Sequence, residues 1–270
     1  MSHAEASPSE PLVLEEKAEG ALWLTLNRPK RRNPLSGAMI TALAASLDQA
    51  YADDSVRVIV IAAAGPVFSA GHDLKEMSRS PEESKPDQVS RVRGILQACS
   101  SMMLGMVQSP KAIIACIEGT ATAAGCQLVS ACDLAIASEE ARFATPGVNI
   151  GSFCTTPLVG IGRNMHRKHA MELALTGEMF SAADAVRMGL VNRAVPRDQV
   201  RPETGKLAES IASRSARGIA AGKAAFYHQI DLPIEQAFEF ANQAMLEVMT
   251  SDDAEEGTRA FLEKRKPVWK

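Results

Sequence analysis

The run VRVIVIAAAGPVFSAGHDLKEM, residues 56–77, joins a block of β-branched apolar residues to a glycine, a histidine and an aspartate that open a polar segment. Residues 56–63 (VRVIVIAA) show little alternation between apolar and polar side chains. That predicts a strand buried on both faces of a largely parallel sheet. In SAGHDLKEM, Gly71 permits close backbone approach and Asp73 stands near a helix N-cap, so the His72 N–H falls at a helix start. Such starts leave backbone N–H groups unpaired and favour negative charge.

The strand-then-helix pattern recurs on either side. AIIACIEG (112–119), DLAIAS (133–138) and LVNRAV (190–195) read as further strands, with a long helical stretch around 90–107. This rhythm is that of an α/β protein. Upstream, LVLEEK (12–17) and ALWLTLN (21–27) are separated by three residues ending in Gly20, a hairpin spacing. Met39, Ile40, Leu43, Leu47, Ala50 and Tyr51 recur at helical steps, predicting a helix from an N-cap at Ser36 to about Asp53. After Arg197 the pattern is helical throughout, near 202–213, 216–229, 233–250 and 252–264. Three parts are expected: a disordered tail at 1–10, a core at 11–196 and a helical oligomerisation region at 197–270. RSPEESKPDQVS (79–90) reads as a mobile loop beside the opening stretch.

With 270 residues, 46% of them apolar, and a formal charge of −3, the chain can bury a sizeable core. Its scattered Lys and Arg give no footprint for nucleic acid or a membrane surface. The five cysteines (Cys99, Cys116, Cys126, Cys132, Cys154) are odd in number, form no CxxC pair and predict a reducing, cytoplasmic setting. MSHAEASPSEP carries two glutamates and no apolar centre, unlike a secretory or acid-poor transit segment. No metal site is expected: His166 and His169 have only Glu172 close by and read as surface residues.

A second helix start lies in GTATAAGCQLVSACD, where Ala121 to Gly125 lead out of a strand. Two such starts at the ends of neighbouring strands could bind one oxyanion. The spacing is equally met by two tight turns that bind nothing.

LTLNRPKRRNPLS, VFSAGHDLKEM, IEGTATAAGCQLVSACDLAIASEEARFATPGVNIG, ALTGEMFSAADAVRMGLVNRAVP and FLEKRKPVW resemble, in content and order, segments of the enoyl-CoA hydratase/isomerase (crotonase) superfamily. The resemblance runs from about residue 12 to the end. It implies a core of ββα turns wound as a spiral, a C-terminal helical trimerisation region, and assembly as a homotrimer or dimer of trimers. It also implies an acyl-CoA thioester as ligand, with coenzyme A part of the substrate and no separate cofactor. The oxyanion hole falls at the N–H groups of His72 and Ala124.

Carried over residue by residue, the two glutamates of family hydratases fall at Gln127 and Gly147, neither of them an acid. A third proton-transfer position falls at about Thr155, with Cys154 beside it, and Glu118 reads as solvated or helix-capping. A positioned acid or base contributes roughly 10²–10⁴-fold, so thioester binding and enolate stabilisation are expected without efficient hydration. The CoA end is assigned to Lys30, Arg31 and Arg32, with Ala70, Asp73, Leu74 and Lys75 around the turn and Phe261 and Lys264 near the adenine. GHD with TP and VNIG also resembles the methylmalonyl-CoA decarboxylase branch. A catalytically silent acyl-CoA-binding protein is the further alternative.

Overall fold

Three times in succession the chain lays one strand into each of two sheets and returns through helix. The computed structural model describes residues 10–269, so the expected tail lies, apart from Glu10, outside the described residues. A hairpin of β1 (Val13–Ala18) and β2 (Ala21–Leu26) leads into α1 (Gly37–Ala52). The first turn is β3 (Val58–Ala63), β4 (Val67–Ser69), α2 (Leu74–Met77) and α3 (Lys85–Gln108). The second is β5 (Ala112–Ile117), β6 (Thr120–Thr122) and α4 (Ala124–Ala131). The third is β7 (Leu134–Ser138), β8 (Arg142–Ala144), α5 (Pro157–Asn164) and α6 (Arg167–Thr176). There follow β9 (Phe180–Ser181), α7 (Ala182–Met188) and β10 (Arg193–Val195), then α8 (Val200–Ala212), α9 (Ala216–Gln229), α10 (Ile234–Met249) and α11 (Asp252–Leu262).

The larger sheet runs β1-β2-β3-β5-β7-β10 and the smaller β4-β6-β8-β9. Neighbours are parallel except at the β1/β2 and β8/β9 edges. This is the α/β ββα spiral that the sequence resemblance implies, and helices close its C-terminal end.

Strand alternation explains the unbroken apolar run. Val58, Val60, Ala62, Ile114, Cys116 and Ile136 face Val200 and Ala208 of α8, whereas Ile59, Ile61, Ile113, Ala115 and Ile117 face the main core with α1 and α3. Fully burying one such side chain stabilises the fold by about 1.5–3 kcal/mol. Helix α8 thus packs, across the boundary expected at 196/197, on the β2-β3-β5-β7 part of one face of the larger sheet. The 79–90 segment is corrected: 85–90 form the first turns of α3. Ser84 caps them, accepting from the Asp87 N–H, and Pro86 takes a first-turn position where a missing N–H does no harm.

Candidate active site

Each of the two helix starts is held by a different device. Asp73 caps α2 by accepting from the Lys75 N–H at 3.0 Å. Before it, Gly71 holds φ +86°, and a Cβ there would come within 2.8 Å of Ala123 Cβ and 3.0 Å of Ala124 N. Only glycine lets the two turns touch. At the second turn Ala123 is held at φ +50°, ψ −118°, a backbone strain of order 1–3 kcal/mol. Its N–H donates to the Ala144 carbonyl at 2.9 Å.

These bonds aim the donors. The Gly71 carbonyl accepts from Leu35 N–H at 2.8 Å, so the His72 N–H of the same trans peptide points away from Leu35. The Ala123 carbonyl accepts from Gln127 N–H at 3.2 Å inside α4, so the Ala124 N–H points out of the helix start. Among the described residues neither N–H donates to a protein acceptor. Two unpaired donors lie beside one close backbone contact.

The basic loop is tied to the same place. Asn33, fully buried with φ +48°, accepts from Arg28 N–H at 2.7 Å and donates to the carbonyls of Ala64 (2.9 Å) and Val67 (2.8 Å). Ser69 Oγ donates to the Asn33 carbonyl at 2.8 Å, and Ala70 N–H donates to the Arg32 carbonyl at 3.0 Å. Lys30, Arg31 and Arg32 are thus held exposed beside the first turn, with Arg31 3.5 Å from Asp73. Sequence reasoning missed Asn33. Its signal was an Asn-Pro pair, asparagine being one of the few residues that tolerate the left-handed region.

Leu74, Lys75 and Ala70 are exposed around the turn. His72 is half-buried, and its buried Nε2 finds no partner among the described residues. Burial pushes its pKa below the usual histidine range, against the opposing pull of the Glu76 carboxylate, so the ring is neutral at pH 7. Glu76 itself is committed to the start of α1, accepting from Gly37 N–H at 2.7 Å.

Gln127, 6% exposed, has a buried Oε1 without a partner among the described residues. A Cβ on Gly147 would lie 3.0 Å from both N and Sγ of Cys154. Cys154 is buried with its thiol pKa raised by desolvation, and Thr155 is exposed with its hydroxyl turned onto the Phe153 carbonyl at 3.3 Å. Glu118 faces the α8 side of the sheet, 3.7 Å from Arg201, which stacks on Trp23 at 4.9 Å. Phe261, 82% exposed, lies in the last turn of α11 and Lys264 just beyond it, and among the described residues neither makes a hydrogen bond or ion pair to either turn.

The two-sheet spiral apposes two helix starts, each with a backbone N–H that finds no acceptor among the described residues. Comparison with known proteins gives the class: residues 16–270 match the enoyl-CoA hydratase/isomerase family, and the chain belongs to it. It is 43% identical over 262 residues to enoyl-CoA hydratase domain-containing protein 3, mitochondrial, of Rattus norvegicus, covering 97% of this chain and 85% of that one. The crystal structure of an enoyl-CoA hydratase of Mycobacterium smegmatis superposes with a TM-score of 0.90 at 44% identity, covering 96% and 99% of the two chains. The crystal structure of human enoyl-CoA hydratase domain-containing protein 3 gives 0.90 at 42% identity, covering 96% and 100%.

The rat relative and its human counterpart are named as mitochondrial proteins, which overturns the cytoplasmic expectation. Buried cysteines report close packing, which is not particular to the cytosol.

Proposed function

We propose that this protein binds acyl-CoA thioesters and stabilises their enolate between the N–H groups of His72 and Ala124, without the paired acids that efficient hydration requires. The observation that carries this reading is the apposition of two acceptor-free backbone donors across Gly71, beside a rigid basic loop. An oxyanion-hole donor contributes about 10²–10³-fold, and it does so only for a group that develops negative charge. Lys30, Arg31 and Arg32 suit the CoA phosphates. Gln127 and Gly147 supply no ionisable group where the resemblance puts the glutamates, and the relatives' names make a mitochondrial site of action the supported one.

Purified protein should bind octanoyl-CoA yet hydrate crotonyl-CoA slowly, about 10²–10⁴-fold below a family hydratase that has both acids. A Gln127→Glu variant should raise the hydration rate. Proficient hydration by the unaltered protein would mean that another group replaces the acids, and absence of thioester binding would end the reading.

Decarboxylation is a second reading, favoured by the neutral, half-buried His72 ring and its partnerless Nε2. A carboxylate on the α-carbon, stripped of water there, would lose CO₂ and leave its electron pair on the enolate that the two N–H groups hold. Malonyl-CoA that releases no CO₂ with the protein removes this reading.

A further inference from the structure

Helix α2 carries the chain from the His72 turn to Met77 in four residues, about 6 Å at 1.5 Å per residue. Met77 forms one wall of a groove of about 490 Å³, and the opposite wall includes Lys85, Val89, Val92, Arg93 and Leu96 of α3. Small-molecule sites span roughly 300–1,000 Å³. Steps of three and four residues place these side chains on one helix face. Gln88 Nε2 fixes the walls together by donating to the Met77 carbonyl at 3.4 Å, and Arg91 does so by donating to the Ser78 carbonyl at 3.0 Å.

Charge separates this groove from a plain apolar slot. Arg91 is neutralised by Glu83 at 2.7 Å. Among the described residues Lys85 bonds only the neutral Gln88 amide, at 3.1 Å, and Arg93 makes no ion pair; no carboxylate is in the groove's lining. The two cations stand eight residues apart on α3, about 12 Å, so chains of different length meet one or the other. An apolar stripe that starts at Met77, one short helix from the donor turn, and carries two cations with no carboxylate in its lining suits a ligand that is apolar along its length and anionic at its tip.

Resting on the acyl-CoA reading above, we propose that this groove receives the distal end of the acyl group, and that Lys85 and Arg93 select thioesters ending in a carboxylate. The test is calorimetric binding of CoA, octanoyl-CoA and suberoyl-CoA to the full chain, alongside a Lys85→Gln/Arg93→Gln double variant. Both residues are exposed, so the variant keeps the fold. Suberoyl-CoA should bind about twofold to fivefold tighter than octanoyl-CoA, the scale of exposed ion pairs. The preference should vanish in the double variant and shrink in high salt, while octanoyl-CoA and CoA bind as before.

Equal binding of the two thioesters, or a preference that survives the double variant, overturns the selection and leaves the acyl-CoA reading in place. Failure of all three ligands to bind overturns both. A double variant that changes the oligomeric state by light scattering, with no change in preference, assigns the groove to a contact between copies and overturns the proposal.

Discussion

At Gly71 a positive φ and a gap too small for a methyl group coincide, so one substitution tests both the backbone and the site. Gly71→Ala should cost about 1–3 kcal/mol in a urea titration from the left-handed conformation alone, and weaken octanoyl-CoA binding by separating the two donors. His72 gives a pH signature. Its folded pKa lies below that of the unfolded chain, so below about pH 6.5 the unfolded state takes up the proton first and stability falls. Tm measured from pH 7.5 down to 5 should drop, and His72→Gln should flatten that limb; an unchanged slope would show that the ring does not titrate in this way. Gly147 shows a limit of residue-by-residue reading. The resemblance put a hydratase glutamate at this position, but only the packed chain shows Cys154 N and Sγ 3.0 Å from where a Cβ would stand, so Gly147→Glu should destabilise rather than restore an acid.

Among the elements, α9 buries none of its residues outright and is held to the core by a polar clamp. Lys223 Nζ, its side chain 8% exposed, donates to Asp133 at 2.8 Å and to the carbonyls of Met106 and Lys111, while Tyr227 donates to the other Asp133 oxygen at 2.9 Å. Removing one partner of a buried pair costs about 3–5 kcal/mol, so Lys223→Met should lower the denaturation midpoint and expose α9–α11 to early proteolysis. A variant as resistant as the parent would show that apolar contacts hold these helices. The element scale also shows where sequence legibility stopped. β3, β5 and β7 announced themselves as apolar blocks, whereas β4, β6, β8 and β9, two or three residues each, are too short to carry a period. They exist because the larger sheet positions them, and they form the sheet from which the second donor turn emerges.

For the whole molecule, the C-terminal helices leave a broad apolar surface in the single chain: Phe226, Ile234, Phe238, Met245 and Leu246 are each more than half exposed. Patches of this kind mark association sites. With the trimer or dimer of trimers that the sequence resemblance implies, light scattering should report three or six times the 28.8 kDa chain mass, and a monomer at micromolar concentration would refute that expectation. The sequence by itself determined the α/β rhythm, the long helices and the chemistry available at Gly71, His72 and Gln127, because hydrophobic period, capping residues and side-chain identity are local properties. Tertiary structure alone decided that Gly71 meets Ala123 and Ala124, that Asn33 moors the basic loop to both its neighbours, that Glu76 is committed to α1 and that α8 packs on the larger sheet. Each of these joins residues far apart in the chain, and such contacts follow from how the sheets stack and not from any local pattern.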